Sequence, residues 1–460
     1  MAAGPANLVR GSIIDARVDS ESRRTEVERL QEADRPKAVP GQDVYARAFA
    51  HLCPRLLRMV GRAPWLEEEA VQLSGRRNAP GLVFRQQAAA TALGLVGRTG
   101  GTTPGDEHRR ECVRASLIRW QLTLRGDGRP AQRKSWRDPS YIAIASQVVH
   151  LLTESGRFQT KTLLSDLAAH LEWLAQSPPQ NPWIEATLIS VLADGAVLAR
   201  KRRWLHDAER RLQDLLEMQD QEGWFPERGG ADIGRLSLTI DALARLYQQT
   251  GWGALPEPLI RAGRFLLNFV HPDGSVGGSY GSCGTAFLSP YGVELLASTV
   301  GEAATLAAIS RRHCERIAAG GALDWHDDLL AVMGPRVAMA STVAQPALPL
   351  PLQLPCESTG RTAFPNAGLF IHATPAYHAV VGGRSGGALH VTWPAGLGSL
   401  DDPGLAVVTR NGLRAFARSD HHAKTQMTAD GVVSTGVLRA SIHKETEAPS
   451  AIIDGISAPP

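Results

Sequence analysis

An internal repeat constrains this chain more than any other feature of its sequence. The segments QDQEGWFPERGGADIGRLSLTIDALARLYQQTG (219–251) and VHPDGSVGGSYGSCGTAFLSPYGVELLASTVG (270–301) each contain an acidic-Gly turn, a Gly-rich loop, an apolar-periodic helix and a closing glycine. The loop glycines Gly223 and Gly274 are 51 residues apart, and the closing glycines are 50 residues apart. A period of this length indicates a stack of supersecondary units.

Each unit contains two helices whose apolar residues recur every three or four positions. This stepping is seen at Ile233, Leu236, Ile240, Leu243 and Tyr247, and in the partner helix at Leu259, Ala262, Leu266 and Phe269. An open α-solenoid would explain such hairpins. However, some helices are apolar on more than one side, so both sides must be buried. We therefore expect a mainly α fold, an (α/α)n toroid of about six hairpins followed by a smaller antiparallel β domain.

Composition suggests how the rest of the chain is organised. Residues 1–40 are rich in Arg, Glu, Asp and Ser and are predicted to be a disordered arm. The toroid is predicted over 41–338, and a Pro-rich linker over 339–358. Short β-branched runs separated by turn residues predict a β-sandwich-like domain over 359–444, which stops early enough to look incomplete. Residues 445–460 are predicted to be a disordered tail.

Simple counts exclude several classes of protein. Lys and Arg total 49 and Asp and Glu total 46, and this balance argues against a nucleic-acid binder. The five cysteines form no C-x-x-C pair and no H-E-x-x-H is present, so we expect neither a metal nor a cofactor. No secretory signal and no run of 18 apolar residues is visible, which predicts a cytoplasmic protein without a transmembrane segment.

The connections between hairpins differ, and the longer ones carry the chemistry. Long loops returning to one end of a rigid stack are where binding sites usually lie. The candidate residues in these loops are Trp136, Asp138, Trp183, Glu185, Trp224, Glu227, Arg228, Asp232, Arg235, His271, Asp273 and Tyr280. Aromatic rings beside carboxylates, guanidiniums and a phenol suit a polysaccharide or oligosaccharide ligand. Plainer interpretations stay open: Asp138 and Asp232 as N-caps, and the tryptophans as packing between hairpins.

The repeats also resemble a known family. EGWFPERGGADIG and DGSVGGSYGSCGTAF, on paired helices and followed by β strands after a linker, are similar to the toroid plus β-sandwich proteins of the heparinase II/III-like polysaccharide lyase group. The resemblance points to bacterial members associated with envelope polysaccharide loci. It covers roughly 110–440 and is strongest over 170–300. It implies an association with envelope polysaccharide machinery.

The resemblance implies a reaction and four catalytic residues. Toroid lyases of this kind imply β-elimination of an acidic polysaccharide by a toroid Tyr, basic groups near the uronate and a His of the β domain. These correspond here to Tyr280, to Arg228 and Arg235, and to His421 or its neighbour His422. Elimination removes the C5 proton of the uronate. We therefore expect a phenolate at Tyr280 whose pKa is lowered by the two arginines.

Three other functions remain open. Cys283 and Gly284 stand where the resemblance leads us to expect an Arg-Asn-type pair, which favours a non-catalytic glycan-binding or scaffold protein in polysaccharide biosynthesis. A glycoside hydrolase would need two opposed carboxylates, for which Asp138, Glu185 and others are available. A terpene-cyclase-like toroid is suggested by MQDQEGWF, but the acid motif D-x-D-D is missing.

Overall fold

The computed structural model describes most of the chain from Pro40 onward. The described residues are 40–60, 79–96, 104–130, 140–155, 158–320, 325–346, 352–393, 398–408, 414–416, 424–428, 431–435 and 439–440. The predicted arm up to residue 39 and the predicted tail lie outside them. In chain order the helices of the described residues are α1 (Pro40–Val60), α2 (Ala79–Val96), α3 (Pro104–Leu122), α4 (Ser140–Ser155), α5 (Lys161–Ala175), α6 (Pro182–Leu198), α7 (Arg202–Glu217), α8 (Ile233–Thr250), α9 (Pro256–Leu267), α10 (Pro290–Leu296), α11 (Gly301–Ala318) and α12 (Asp327–Val343).

These helices form two concentric rings. Each even-numbered helix packs against the next even-numbered helix, and α12 packs back against α2, which closes the inner ring. The odd-numbered helices lie outside, and α1 contacts both α11 and α12. The predicted toroid of about six hairpins is therefore confirmed. Its last helix extends to Val343, into the segment expected to be a linker.

The sequence of each helix matches its place in the rings. Every residue of α6 from Pro182 to Ala196 is buried, because an inner helix has neighbours on all sides. The outer helix α7 buries one stripe, which includes Trp204, Ala208 and Leu215. An apolar stripe of this kind is typical of a helix with one face in solvent. None of the helices in the described residues is long and apolar enough to cross a membrane.

The C-terminal region is the smaller antiparallel β domain that the sequence predicts. Its strands are β1 (Gly360–Phe364), β2 (Leu369–Ala373), β3 (His378–Gly382), β4 (Ala388–Thr392), β5 (Ser399–Asp402), β6 (Ala406–Val408), β7 (Arg414–Phe416), β8 (Lys424–Met427), β9 (Val432–Thr435) and β10 (Arg439–Ala440). The first five form one antiparallel sheet in chain order, and the others form sheets of order β10-β7-β6 and β8-β9.

The five-stranded sheet lies on the long-loop end of the toroid. Asn366, in the turn between β1 and β2, donates its backbone N–H to Glu222 at 2.9 Å and its side-chain amide to both oxygens of Asp220. Farther along the sheet, a Cβ on Gly382 would lie 2.4 Å from the Tyr280 carbonyl oxygen. Only glycine allows this approach between strand and loop. The acidic-Gly turn of the repeat, through Asp220 and Glu222, therefore binds the sheet to the toroid.

Candidate functional site

Asp232 connects the long loop before α8 to the long loop before α10. Its carboxylate caps α8 by accepting a hydrogen bond from the Arg235 backbone N–H at 3.1 Å. It also accepts hydrogen bonds from the Cys283 backbone N–H at 2.9 Å and from the Thr285 hydroxyl. The N-cap interpretation of Asp232 is confirmed, and the same carboxylate holds two consecutive repeats in register.

Most of the aromatic and acidic side chains proposed for the sugar-binding rim are buried. Trp183 and Trp224 are only 3% and 5% exposed. Glu185 accepts a hydrogen bond from Arg211 at 2.5 Å, and Glu227 accepts one from the Trp183 backbone N–H at 2.8 Å. Burial raises the pKa of Glu227 to about 7. These groups pack and connect the hairpins, and they present little surface to a ligand.

The two candidate arginines occupy different environments. Arg235 is buried, and its Nη1 lies 3.5 Å from Glu227 Oε2. Arg228 is exposed at the tip of a tight turn, with a φ of 50°. The charges of both arginines lower the pKa of the Cys283 thiol, but burial has the larger effect and raises that pKa to about 12. Neither arginine is among the groups that shift the pKa of Tyr280.

Tyr280 is therefore not the phenolate that we expected. Its side chain has no exposed surface. Burial raises the pKa of its phenol well above the ordinary value, and the charges of Asp401 and Asp232 add to this effect. The expectation of a lowered Tyr280 pKa is wrong, because desolvation outweighs the attraction of arginines that lie elsewhere. Tyr280 stays protonated and acts as a hydrogen-bond donor.

The donor role of Tyr280 follows from a chain of four groups. The Ser275 hydroxyl donates to Asp273 Oδ1 at 2.6 Å, so its oxygen accepts from His271 Nδ1 at 2.9 Å. His271 Nε2 is then unprotonated and accepts from the Tyr280 hydroxyl at 3.1 Å. Burial lowers the pKa of His271 well below its ordinary value, which keeps the ring neutral. Both nitrogens of His271 are thus occupied.

A second histidine joins this loop to the sheet. The ring of His390, on β4, stacks on His271 with centroids 4.1 Å apart. His390 Nδ1 lies 3.3 Å from Asp401 Oδ1, and its Nε2 lies 3.2 Å from the Thr392 hydroxyl. Asp401 also accepts a hydrogen bond from the Ser279 hydroxyl at 2.7 Å. His390 therefore has partners for both nitrogens and fixes the sheet to the toroid.

His378, at the start of β3, differs from its two neighbours. It is 2% exposed, and its ring centroid lies 5.7 Å from that of His271. Within the described part of the chain, neither of its ring nitrogens has a hydrogen-bond partner. Burial, with the charge of His390 adding to it, lowers the pKa of His378 to about 4. Other buried side chains of the described residues also have a polar atom without a partner, but His378 is the one in which two such atoms are found, which makes it a candidate for contact with a ligand.

His378 lies in the wall of a cleft of about 850 Å³ where the toroid meets the sheet. The toroid contributes the loop that contains His271 and the outer helix α11, and the sheet contributes the turn between β2 and β3. The polar lining residues are His271, Asp273, Arg312, Glu315, Arg316, Cys356, Glu357, Ser358, Thr359, Thr374, Tyr377 and His378. This volume is sufficient for a small molecule or for a few sugar units of a polymer.

The structure brings together Tyr280 and His271 from the sequence candidates, and it adds two histidines that the sequence analysis missed. Trp136, Asp138 and His421 lie outside the described residues. His378 and His390 occur in YHAVVGG and ALHVTW, where each alternates with apolar residues of a strand. That alternation was the available signal. No group of three or more His, Cys, Asp or Glu among the described residues is arranged to hold a metal ion.

Comparison with known proteins identifies the fold and nothing narrower. No protein-family model and no curated protein matches this sequence. Among solved structures, the chain is similar to Paenibacillus xanthan lyase, with a TM-score of 0.52 and 13% identity over 91% of this chain and 45% of that chain. Chondroitin AC lyase of Streptomyces coelicolor A3, in complex with chondroitin sulphate, gives a TM-score of 0.47 and 14% identity over 74% of this chain and 53% of that chain.

These similarities have a limited meaning. The chain spans less than half the length of the xanthan lyase that it matches. At 13% identity the similarity shows the fold alone, a helical toroid followed by a β domain, and it shows no activity. The narrower resemblance to the heparinase II/III-like group, and the association with envelope polysaccharide machinery, stay predictions.

Proposed function

We propose that this protein is a polysaccharide lyase that cleaves an acidic polysaccharide by β-elimination in the cleft between the toroid and the sheet. One observation carries the proposal: His378 is a buried, neutral imidazole without a hydrogen-bond partner in the wall of that cleft. Its two histidine neighbours are saturated, so His378 is the member of the cluster with a nitrogen available for substrate. The xanthan lyase fold supports this choice of reaction class.

The reaction can be written with the groups of the cleft. A neutral nitrogen of His378 accepts the C5 proton of a uronate, and the electrons of that C–H bond form the C4–C5 double bond as the C4–O bond breaks. The leaving oxygen takes a proton from a water molecule in the open cleft, and protonated His378 then gives its proton to the hydroxide that forms. Atoms and charge balance without a cofactor.

The uronate carboxylate needs a cation when the C5 proton is removed. Arg312 and Arg316 line the cleft from α11, and their spacing of four places them on one face of that helix. The cleft also contains Asp273, Glu315 and Glu357, so its charge is mixed and the two guanidiniums act locally. Tyr280 and His271 hold the loop in place, and the catalytic role expected of exposed Arg228 stays a prediction.

The proposal is tested by incubating the protein with uronate polymers and measuring the absorbance of the unsaturated product. We expect the wild-type protein to form this product and His378→Gln to lower kcat by about 100-fold or more. His206→Gln, which changes an exposed histidine of α7, is the matched control and should retain full activity. Circular dichroism melting of all three proteins confirms that the folds are comparable.

The same assay separates the other functions. Reducing ends released without the unsaturated product would indicate a glycoside hydrolase. Polymer binding without any turnover would indicate a glycan-binding or scaffold protein. Full activity in His378→Gln would contradict the role given to His378, whatever the reaction.

A further inference from the structure

The turn between α6 and α7 carries an unusual concentration of positive charge. Arg200, Lys201, Arg202 and Arg203 are consecutive, and we call them the basic turn. All but Lys201 are exposed. The sequence analysis did not assign this segment, and it belongs neither to the cleft nor to the contacts between toroid and sheet.

The backbone of the basic turn is held in a conformation that arginine rarely adopts. Arg200 has a φ of 54°, in the left-handed region. The Lys201 N–H donates to the Ala196 carbonyl at 3.0 Å and the Arg200 N–H to the Val197 carbonyl at 3.4 Å, which is the Schellman arrangement at the end of α6. The next inner helix, α8, ends with Gly251 at a φ of 64°. Glycine adopts this backbone conformation with less strain than arginine does. An arginine at this position therefore indicates that its side chain has a function.

The charge of the basic turn is only partly neutralised. Within the described part of the chain, its ion pairs all involve Glu172, which lies 4.0 Å from Lys201 and also pairs with Arg203. Arg200 and Arg202 have no ion pair among the described residues. One carboxylate against four cations leaves three net positive charges, as many as the formal net charge of +3 of the whole chain.

An apolar side chain lies next to these cations. Val197, in the last turn of α6, is 77% exposed, more than the other large hydrophobic residues that are exposed in the described structure. It lies at the opposite end of α6 from the long loop before Pro182. At 1.5 Å per residue, this 17-residue helix separates the basic turn from the long-loop end by about 25 Å.

We infer that the basic turn is a second binding site for an anionic polysaccharide, at the end of the ring opposite the cleft. Three of its four cations are arginines, whose planar guanidinium matches a carboxylate or sulfate group in bidentate fashion. Val197 provides an apolar surface for the C–H face of a sugar ring. The identity of the ligand as a sugar polymer rests on the proposed function, whereas its negative charge follows from the basic turn alone.

A second site has a consequence that depends on polymer length. A chain long enough to occupy both sites has a high effective concentration at the cleft once the basic turn has bound it. A short oligosaccharide gains nothing, because it cannot span about 25 Å along the ring. The basic turn should therefore affect KM for long polymers alone, and kcat for none.

Binding is tested with polygalacturonate and dextran sulfate as probes and neutral dextran as the uncharged comparison. In the test variant Arg200→Gly keeps the backbone conformation, and Lys201, Arg202 and Arg203 are changed to Gln. The matched control changes four exposed arginines of other outer helices, Arg47, Arg58, Arg114 and Arg264, to Gln. Low-salt affinity should fall about tenfold or more in the test variant, since it loses four exposed cations that pair with the polyanion. The control should change by less than about threefold.

Three results would overturn the inference: equal losses in both variants, equal binding of neutral dextran by the wild type, or capture of anionic phosphatidylserine vesicles by the basic turn without any capture of polymer. Repeating the binding in His378→Gln separates this inference from the proposed function. If no polymer is ever cleaved but the basic turn still binds polyanions, the lyase proposal fails and this inference stands. If long polymers are cleaved with the same KM by wild type and test variant, this inference fails and the lyase proposal stands.

Discussion

The axis of the ring is where side chains of the inner helices α4, α6, α8 and α10 meet. Both the axis and the cleft beside the sheet bury polar side chains, but the hydrogen bonding of these side chains differs. At the axis, Arg245 donates to Asp194 at 2.8 Å, to Glu154 at 2.9 Å and to the Tyr291 hydroxyl at 3.1 Å. In the cleft, His378 has no partner for either nitrogen among the described residues. Buried polar groups with partners hold a fold together, whereas a buried side chain without any partner needs a further explanation, and for His378 we propose a ligand. The axis also has single unpartnered atoms, at His150 Nδ1 and Ser190 Oγ. Burial and polarity alone thus do not identify a site.

The largest expected effect tests the axis. Arg245→Met should lower the free energy of unfolding by about 3–5 kcal/mol, because it leaves Asp194 buried without its cation. Urea denaturation measures this loss. Arg47→Met, which breaks an exposed pair with Asp43, is the control and should change stability by less than about 1 kcal/mol. Similar losses in the two variants would mean that the axis pairs do not hold the ring.

The second prediction concerns acid stability. The pKa of His378 is about 4 in the folded protein and about 6.5 when unfolded, so the unfolded chain binds more protons between these values. The free energy of unfolding is therefore highest above pH 6.5, where the ring is neutral in both states, and it decreases as the pH falls towards 4. His378→Leu should remove up to about 3 kcal/mol of this dependence. Urea denaturation between pH 4 and 7 measures it, and an unchanged slope would contradict the prediction.

The third prediction is that removing a buried polar side chain raises the free energy of unfolding in the cleft, whereas it lowers this free energy at the axis. At pH 7, His378→Leu should raise the free energy of unfolding by about 1–2 kcal/mol, because it replaces an unsatisfied buried polar group with an apolar one. The same variant should lose the proposed lyase activity. A destabilised His378→Leu would show that the imidazole has a structural role and would remove the contrast with Arg245.

The smallest effect concerns the joint between sheet and toroid. Asp401→Asn should lower stability by about 0.5–1.5 kcal/mol, since Asp401 accepts a hydrogen bond from Ser279 and pairs with His390. Asp402→Asn is the control, because among the described residues the Asp402 side chain accepts only a local bond from the Gly404 N–H. It should change stability by less than about 0.5 kcal/mol. Equal effects of the two variants in thermal melts would show that the joint contributes nothing.

Much of the fold could be predicted from the sequence, because the helical hairpins recur as a local sequence repeat. The stepping of apolar residues predicted the paired helices, and apolar residues on more than one side of α8, at Ile233, Leu238 and Ile240, predicted ring closure. The site could not be read in the same way. Trp183 and Glu227 have the composition of a sugar site, but their backbone and side-chain partners come from neighbouring hairpins that one sequence does not reveal.

The importance of His378 depends on an absence that no sequence pattern shows. Its neighbours His271 and His390 are of the same residue type and lie within the same cluster, yet hydrogen bonds to Ser275 and Thr392 saturate them. Whether a histidine is saturated depends on strand register and on the packing of sheet against toroid. Both are set by tertiary structure, so residue type and spacing could not distinguish His378 from the other two histidines.

The contacts of α1 with the last helices of the ring also affect how this protein folds during synthesis. The Tyr45 hydroxyl of α1 donates to Glu294 of α10 at 2.8 Å across 249 residues of sequence, and α1 also contacts α11 and α12. During synthesis from the amino end, the apolar side of α1 must wait without its final neighbours until Val343 has emerged. The ring can close only after its last helix has been synthesised. We therefore expect nascent chains that end before Val343 to aggregate and to depend on chaperones.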